Sequence, residues 1–271
     1  MKSQKEVHID NKIIELTEIL SPSGNAHKAA KLLLSNDEVQ VSQEFANNVS
    51  LIRLGYNDHG PVHMKTVTLN AIIMLDLLKK SGIKTTMEAD NCGNFEDSLI
   101  AVMLSCMLHD IGMGMGRSNH EQHSVILSYP IIEKILTEIF GSNLHKIVAI
   151  RSVALEGIAG HMGTLSISSL EAGIVQIADG CDMTKGRARI PIAMAHPPRA
   201  GHIHQYSANS IEDVIIKAGN EKPICIEINM SNEAGLFQVE EVLLHKVANS
   251  PGKQYIELYA TVLNNEQRRY L

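Results

Sequence analysis

The run Ser98–Leu108, SLIAVMLSCML, ends directly on His109 and Asp110, followed by Ile111 and Gly112. An isolated carboxylate beside so apolar a run is costly to desolvate unless it is paired or bound to a metal. Neighbouring residues on a helix point about 100° apart, so His109 and Asp110 can serve one ion only if the helix stops there. Gly112 is the expected stop, a glycine just past the helix C-terminus. A second acid has the same surroundings, Asp179 in GIVQIADGCD. Two acids at the ends of oily helices suggest one shared cation.

Further donors fall at helix ends. Pro61 fits a first helical position and places His63 in the first turn. His120 opens HEQHSVILSYPII after the loop GMGMGRSN, and His161 follows the segment IAG. The ordered set His63, His109, Asp110, His120, His161 and Asp179 contains nitrogen and oxygen donors and no cysteine. Such a set suits a hard-to-borderline divalent ion better than a closed structural zinc site.

The rest of the chain bounds the fold. With 271 residues, 44% of them hydrophobic, a substantial core is available. Cys92, Cys106, Cys181 and Cys225 are widely spaced, which speaks against a disulfide framework or a thiolate metal site. Apolar residues at three-and-four spacing predict helices over 11–20, 26–35, 63–82, 94–108, 121–140, 144–160 and 168–183. From about 189 the pattern changes to short β-branched segments over 213–219, 223–230 and 254–263, with a helix over 233–250. The expected fold class is mainly α, an all-helical domain over 1–188 followed by a small α+β domain over 189–271. The bends around Pro191 and Pro197-Pro198 mark the junction.

The net charge is −6, and the nine Lys and Arg from Arg187 onward balance nine Asp and Glu, so the excess negative charge lies earlier. Neither part offers a basic face for nucleic acid, and four Phe, six Tyr and no Trp leave few stacking surfaces. The N-terminal segment lacks a signal-type apolar core and no membrane span is expected, which leads to a cytoplasmic reading.

Taken together, H…HD…H…H…D on a helical frame resembles the HD-domain superfamily of metal-dependent phosphohydrolases over roughly Gly55 to Arg189. His63 is similar to the family's first His, LHDIG to its defining dipeptide in context, and VQIADGCDM to its closing Asp helix. In HEQHSVIL the family's His followed four residues later by a small residue selects His120 over His123, because Ser124 then fills the small position. IAGHMG resembles the later His of the two-metal members, including the HD-GYP group. The chain departs from HD-GYP at Met113, where a Lys usually follows HDIG, and in GHMGTLS, which lacks the paired His and the GYP tripeptide.

The resemblance implies that His63, His109, Asp110 and Asp179 hold a first metal, and that Asp110 bridges to a second held by His120 and His161. One or two divalent ions are expected, with Mn, Fe or Mg ahead of Zn or Ni. Lys185, Arg187, Arg189 and Arg117 are the candidate phosphate contacts, Asp110, Lys185 and Arg117 in catalytic roles, and His59 could donate to substrate. His123 reads as support or surface, His145 as a cap or an exposed residue. GMGMG has neither the spacing nor the preceding strand of a phosphate loop. The histidines of AHPPRAGHIH read as junction surface, and the 12 methionines as adaptable core filler.

The expected function is hydrolysis of a phosphomonoester or phosphodiester, nucleotide-like, by metal-activated water. Two other classes share these residues: a regulatory or ligand-binding protein that retains metal without robust turnover, and a di-iron oxygenase of the same superfamily. A small phosphoester is the expected partner, and the α+β part could dimerise through exposed strand edges.

Overall fold

The computed structural model describes residues 2–22, 24–185, 203–263 and 266–271, the side chains of 203–205 excepted. Arg187, Arg189 and the expected junction at 188/189 lie outside the described residues. The helices α1 (Gln4–Leu20), α2 (Asn25–Ser35), α3 (Asp37–Asn48), α4 (Pro61–Lys80), α5 (Thr86–Ala89), α6 (Phe95–Leu108), α7 (His120–Phe140), α8 (Leu144–Gly160) and α9 (Leu170–Cys181) form the first part. A short α10 (Ile203–Asn209) then leads to the strands β1 (Ile211–Ala218), β2 (Ile224–Met230), β3 (Ile256–Val262) and β4 (Arg268–Arg269). The expected class, a mainly helical protein with a small C-terminal α+β region, is what the chain adopts.

Local chemistry sets the ends of these helices. Ser3 and Glu6 form a reciprocal capping box that starts α1 seven residues before the apolar periodicity begins. Asn94 and Asp97 do the same for α6, and Lys146 of α8 also binds Asp97. Helix α3 was not expected, because its sequence DEVQVSQEFANN buries only Val39, Gln43 and Ala46 and so shows little apolar periodicity. Strand β4, a pair of exposed arginines, likewise has no pattern to read.

Helices α6 and α9 lie at the centre. Every residue of α6 except Glu96 is buried, and so are all twelve residues of α9. The segment Phe95–Met115 is apolar and long enough to cross a membrane by composition, yet its most apolar stretch is 89% buried inside the protein.

The sheet order is β1-β2-β3-β4, antiparallel, parallel and antiparallel in turn. The parallel pair needs a crossover, which runs through a 3-10 turn at Glu233–Gly235, π-helical turns at Gln238–Leu243 and α11 (Leu244–Ala248). The single helix expected over 233–250 is therefore split. Ile224, Ile226, Ile228, Ile256 and Leu258 of β2 and β3 share one continuous core with the helices.

The crossover seats on α9 along a groove of small residues. A Cβ on Gly173 would lie 2.5 Å from Ser250 Oγ, and one on Gly180 would lie 2.9 Å from Leu243 Cδ1 and 3.3 Å from Lys246 Cδ. Between them Gln176 Nε2 donates to the Lys246 carbonyl at 2.9 Å.

Gly112 does not act as the left-handed helix stop expected of it. Helix α6 ends at Leu108, His109 keeps a helical φ of −59°, and Gly112 is absent from the positive-φ glycines. Its hydrogen is instead needed for close approach, since a Cβ there would lie 2.1 Å from the His120 carbonyl oxygen and 2.5 Å from Ser124 N. Gly112→Ala must push the start of α7 away and should lower stability by about 2 kcal/mol, a loss of several degrees in Tm by differential scanning fluorimetry.

Candidate metal centre

All six expected donors come together, each carried by a helix end. His63 is the third residue of α4, behind Pro61 at the first position. His109 and His161 are the residues immediately after α6 and α8, and His120 is the first of α7. Asp110 follows His109, and Asp179 sits in the last turn of α9. All six are buried, Asp179 being the most exposed at 8%.

Asp110 stands in the middle. Its Oδ2 lies 3.3 Å from both His63 Nε2 and His109 Nε2, while its Oδ1 lies 3.2 Å from His120 Nε2 and 3.4 Å from His161 Nε2. Asp179 Oδ1 joins the first group, 3.2 Å from His63 Nε2 and 3.7 Å from His109 Nε2. The donors thus form overlapping triplets, His63-His109-Asp110, Asp110-His120-His161 and His109-His161-Asp179, with the ligand atoms of each within 4.8 Å of one another.

The far side of each imidazole fixes its proton. His109 Nδ1 faces the Cys106 carbonyl at 2.9 Å, His161 Nδ1 the Ile158 carbonyl at 2.7 Å, and His120 Nδ1 the Arg117 carbonyl at 3.0 Å. His63 Nδ1 faces Asp182 Oδ2 at 2.7 Å. With an acceptor at every Nδ1, that nitrogen carries the proton and Nε2 keeps its lone pair. The bare pairs face each other, His63 against His109 at 3.2 Å and His120 against His161 at 3.1 Å, with carboxylate oxygens alongside. Electron pairs gathered in a dry space repel one another unless a cation lies among them, so the donor set fits divalent metal.

Protonation follows suit. Burial pushes His161 down to about 4, which leaves it neutral near pH 7. Burial opposes ionisation of Asp110, but without metal His109, and then His120 and His161, outweigh it where their Nε2 atoms take up protons, and the carboxyl lies well below the usual range. Burial is likewise overcome at Asp179, by the Lys246 ammonium first and then by His63 and His109.

Asp182 and Lys246 belong to the centre although the sequence did not single them out. Asp182 lies three residues after Asp179, a spacing that was available to read. Lys246 comes from α11 and ion-pairs with Asp179 Oδ2, and no local pattern foretells that. Arg117 is half-buried at the edge of the cluster, with its guanidinium against the sulfurs of Met113 and Met162. His59 places its ring edge-on to His63, with centroids 5.8 Å apart, and its Nδ1 lies 2.6 Å from the Asn57 carbonyl and 2.9 Å from Ser50 Oγ. Lys185 is exposed and pairs with Glu212 of β1. His123 is half-buried and outside the cluster, and His145 is exposed.

Because Asp182 fixes the tautomer of His63, Asp182→Ala should weaken metal retention by roughly 10–100-fold against a competing chelator while the fold persists.

The HD domain family matches residues 63–184, a span that runs from the first His to just beyond the last Asp. The uncharacterized protein MJ1020 of Methanocaldococcus jannaschii is 44% identical over 230 residues, 85% of this chain and 86% of that protein. Ribonuclease Y of Clostridium perfringens is 27% identical over 145 residues, and that of Clostridium novyi 26% over 165 residues. These two alignments cover 52% and 58% of this chain but only 25% and 30% of the ribonucleases. No solved structure matches the chain significantly. The chain belongs to the HD-domain family.

Proposed function

We propose that this protein is a metal-dependent phosphohydrolase that cleaves a small, nucleotide-like phosphomonoester or phosphodiester with water. The observation that carries this reading is Asp110, which presents one oxygen to His63 and His109 and the other to His120 and His161. Asp110, Asp179 and the four imidazoles would hold one or two divalent ions. Divalent ions held there would supply an activated water at neutral pH and draw charge from the phosphoryl oxygens.

The chain's own residues account for the remaining needs. Asp110 and Asp179 stay ionised despite burial and so remain available as ligands. Arg117 has no carboxylate partner among the described residues, and it stands beside His120, whose Nδ1 its carbonyl receives. It is placed to donate to phosphoryl oxygens as negative charge builds on them. His59, beside His63, is a candidate donor to the substrate. Arg187, Arg189 and Lys185 follow Asp179 and Asp182 in sequence and are the candidates for outer phosphate contacts. The similarity to proteins named ribonucleases supports cleavage at phosphorus, while the balanced charge after Arg187 favours a small substrate over a nucleic-acid platform.

Purified protein should take up manganese and hydrolyse members of a panel of nitrophenyl phosphomonoesters and phosphodiesters. Asp110→Ala should lose metal and lower turnover by at least about 100-fold, more than loss of a mere supporting residue costs. Metal retained in full by Asp110→Ala, or dioxygen consumption in place of phosphoester turnover, overturns the proposal.

A further inference from the structure

Lys246 is the one cation among the described residues that ion-pairs with a candidate ligand. It is only 6% exposed and comes from the C-terminal crossover, remote in sequence from every metal donor. Its placement is built. Gly180 leaves room for its aliphatic stem, Gln176 holds its carbonyl, and its ammonium meets Asp179 Oδ2 while Asp179 Oδ1 turns to His63 and His109.

Keeping Asp179 ionised does not by itself account for a full positive charge placed this close to the metal donors. An ammonium beside a ligand carboxylate draws electron density from it and repels a divalent ion at close range in a poorly screened interior. Acceptors back the four histidines, Asp182 and the carbonyls of Cys106, Ile158 and Arg117, and a ligand carboxylate needs only a neutral donor behind it. Lys246 brings a full positive charge instead. Positive charge next to metal becomes favourable once an anion enters, because the ammonium can then share its hydrogens between Asp179 and the incoming oxygens.

We infer that Lys246 is the anion-binding residue of this site, so that the crossover of the C-terminal region completes the pocket for a phosphate-bearing substrate. The inference rests on the proposed phosphohydrolase reading and deepens it. The helical part supplies the metal donors, and the α+β part supplies the charge that selects an anion.

The test uses the full chain loaded with divalent manganese, as wild type and as Lys246→Met, Lys246→Gln and Lys246→Arg. Manganese content is read by elemental analysis, and binding of inorganic phosphate by calorimetry. Both uncharged variants should hold manganese at least as firmly as wild type yet bind phosphate about 10-fold or more weakly, with Lys246→Arg retaining most of the affinity. If Lys246→Met sacrifices the fold, Lys246→Gln, which keeps a donor for Asp179, gives the same readout. Phosphate affinity within about twofold of wild type in the uncharged variants overturns the inference and leaves the proposed function standing. Joint loss of manganese and phosphate also overturns it, since Lys246 would then only hold Asp179 in place. A wild type that takes up no manganese overturns the proposed function, and this inference with it.

Discussion

The centre depends on the hydrogen bond at the back of each histidine. His109 and His161 stand just beyond the last residues of α6 and α8, where helix carbonyls lack intrahelical partners. Each ring donates to the carbonyl three residues earlier, which satisfies that group and turns Nε2 inward. His120 uses the Arg117 carbonyl in the same way at the start of α7, and His63 uses Asp182. The same bonds that finish the helices therefore select the tautomer that can bind metal. Without them the rings could rotate, and nothing in an apolar core would hold four lone pairs against one another.

Because the donors are attached to helix ends, the packing of the bundle sets their separation. The core around α6 and α9 fixes where Asp110 and Asp179 lie, and α4, α7 and α8 each bring one imidazole to them. Side-chain choice is similarly constrained. The approach of Gly112 to α7 leaves no room for a methyl group, and Ser124, at the facing position, receives the Gly112 N–H at 2.9 Å. This contact carries His120 to Asp110. The small residue four positions after His120 is thus a packing requirement with a chemical outcome.

What was legible in the sequence was local. Proline at the start of α4, a histidine at the end of an apolar run and an aspartate in the last turn of another each leave a mark within a few residues, and all six donors converge as their spacing suggested. The long-range partners leave no such mark. Lys246 lies in a segment that reads as an ordinary amphipathic helix, and its pairing with Asp179 exists only because β2 and β3 run parallel and demand a crossover that settles on α9. Gly112 reads as a helix stop, since a glycine required for contact and one required for a left-handed turn look alike in a string of letters. Helix α3 escaped because its polar face dominates, and β4 because two arginines carry no periodicity.

The seating of the crossover on α9 has a bearing on biosynthesis. His63 and its supporting Asp182 are separated by 119 positions, and Lys246 comes 67 positions after Asp179. A nascent chain that has exposed only its early helices holds isolated imidazoles, too few and too mobile to compete for ions with the cell's other chelators. A polypeptide that ends before Asp179 therefore lacks a full donor set, and one that ends before Lys246 lacks the counter-charge that the crossover brings to it.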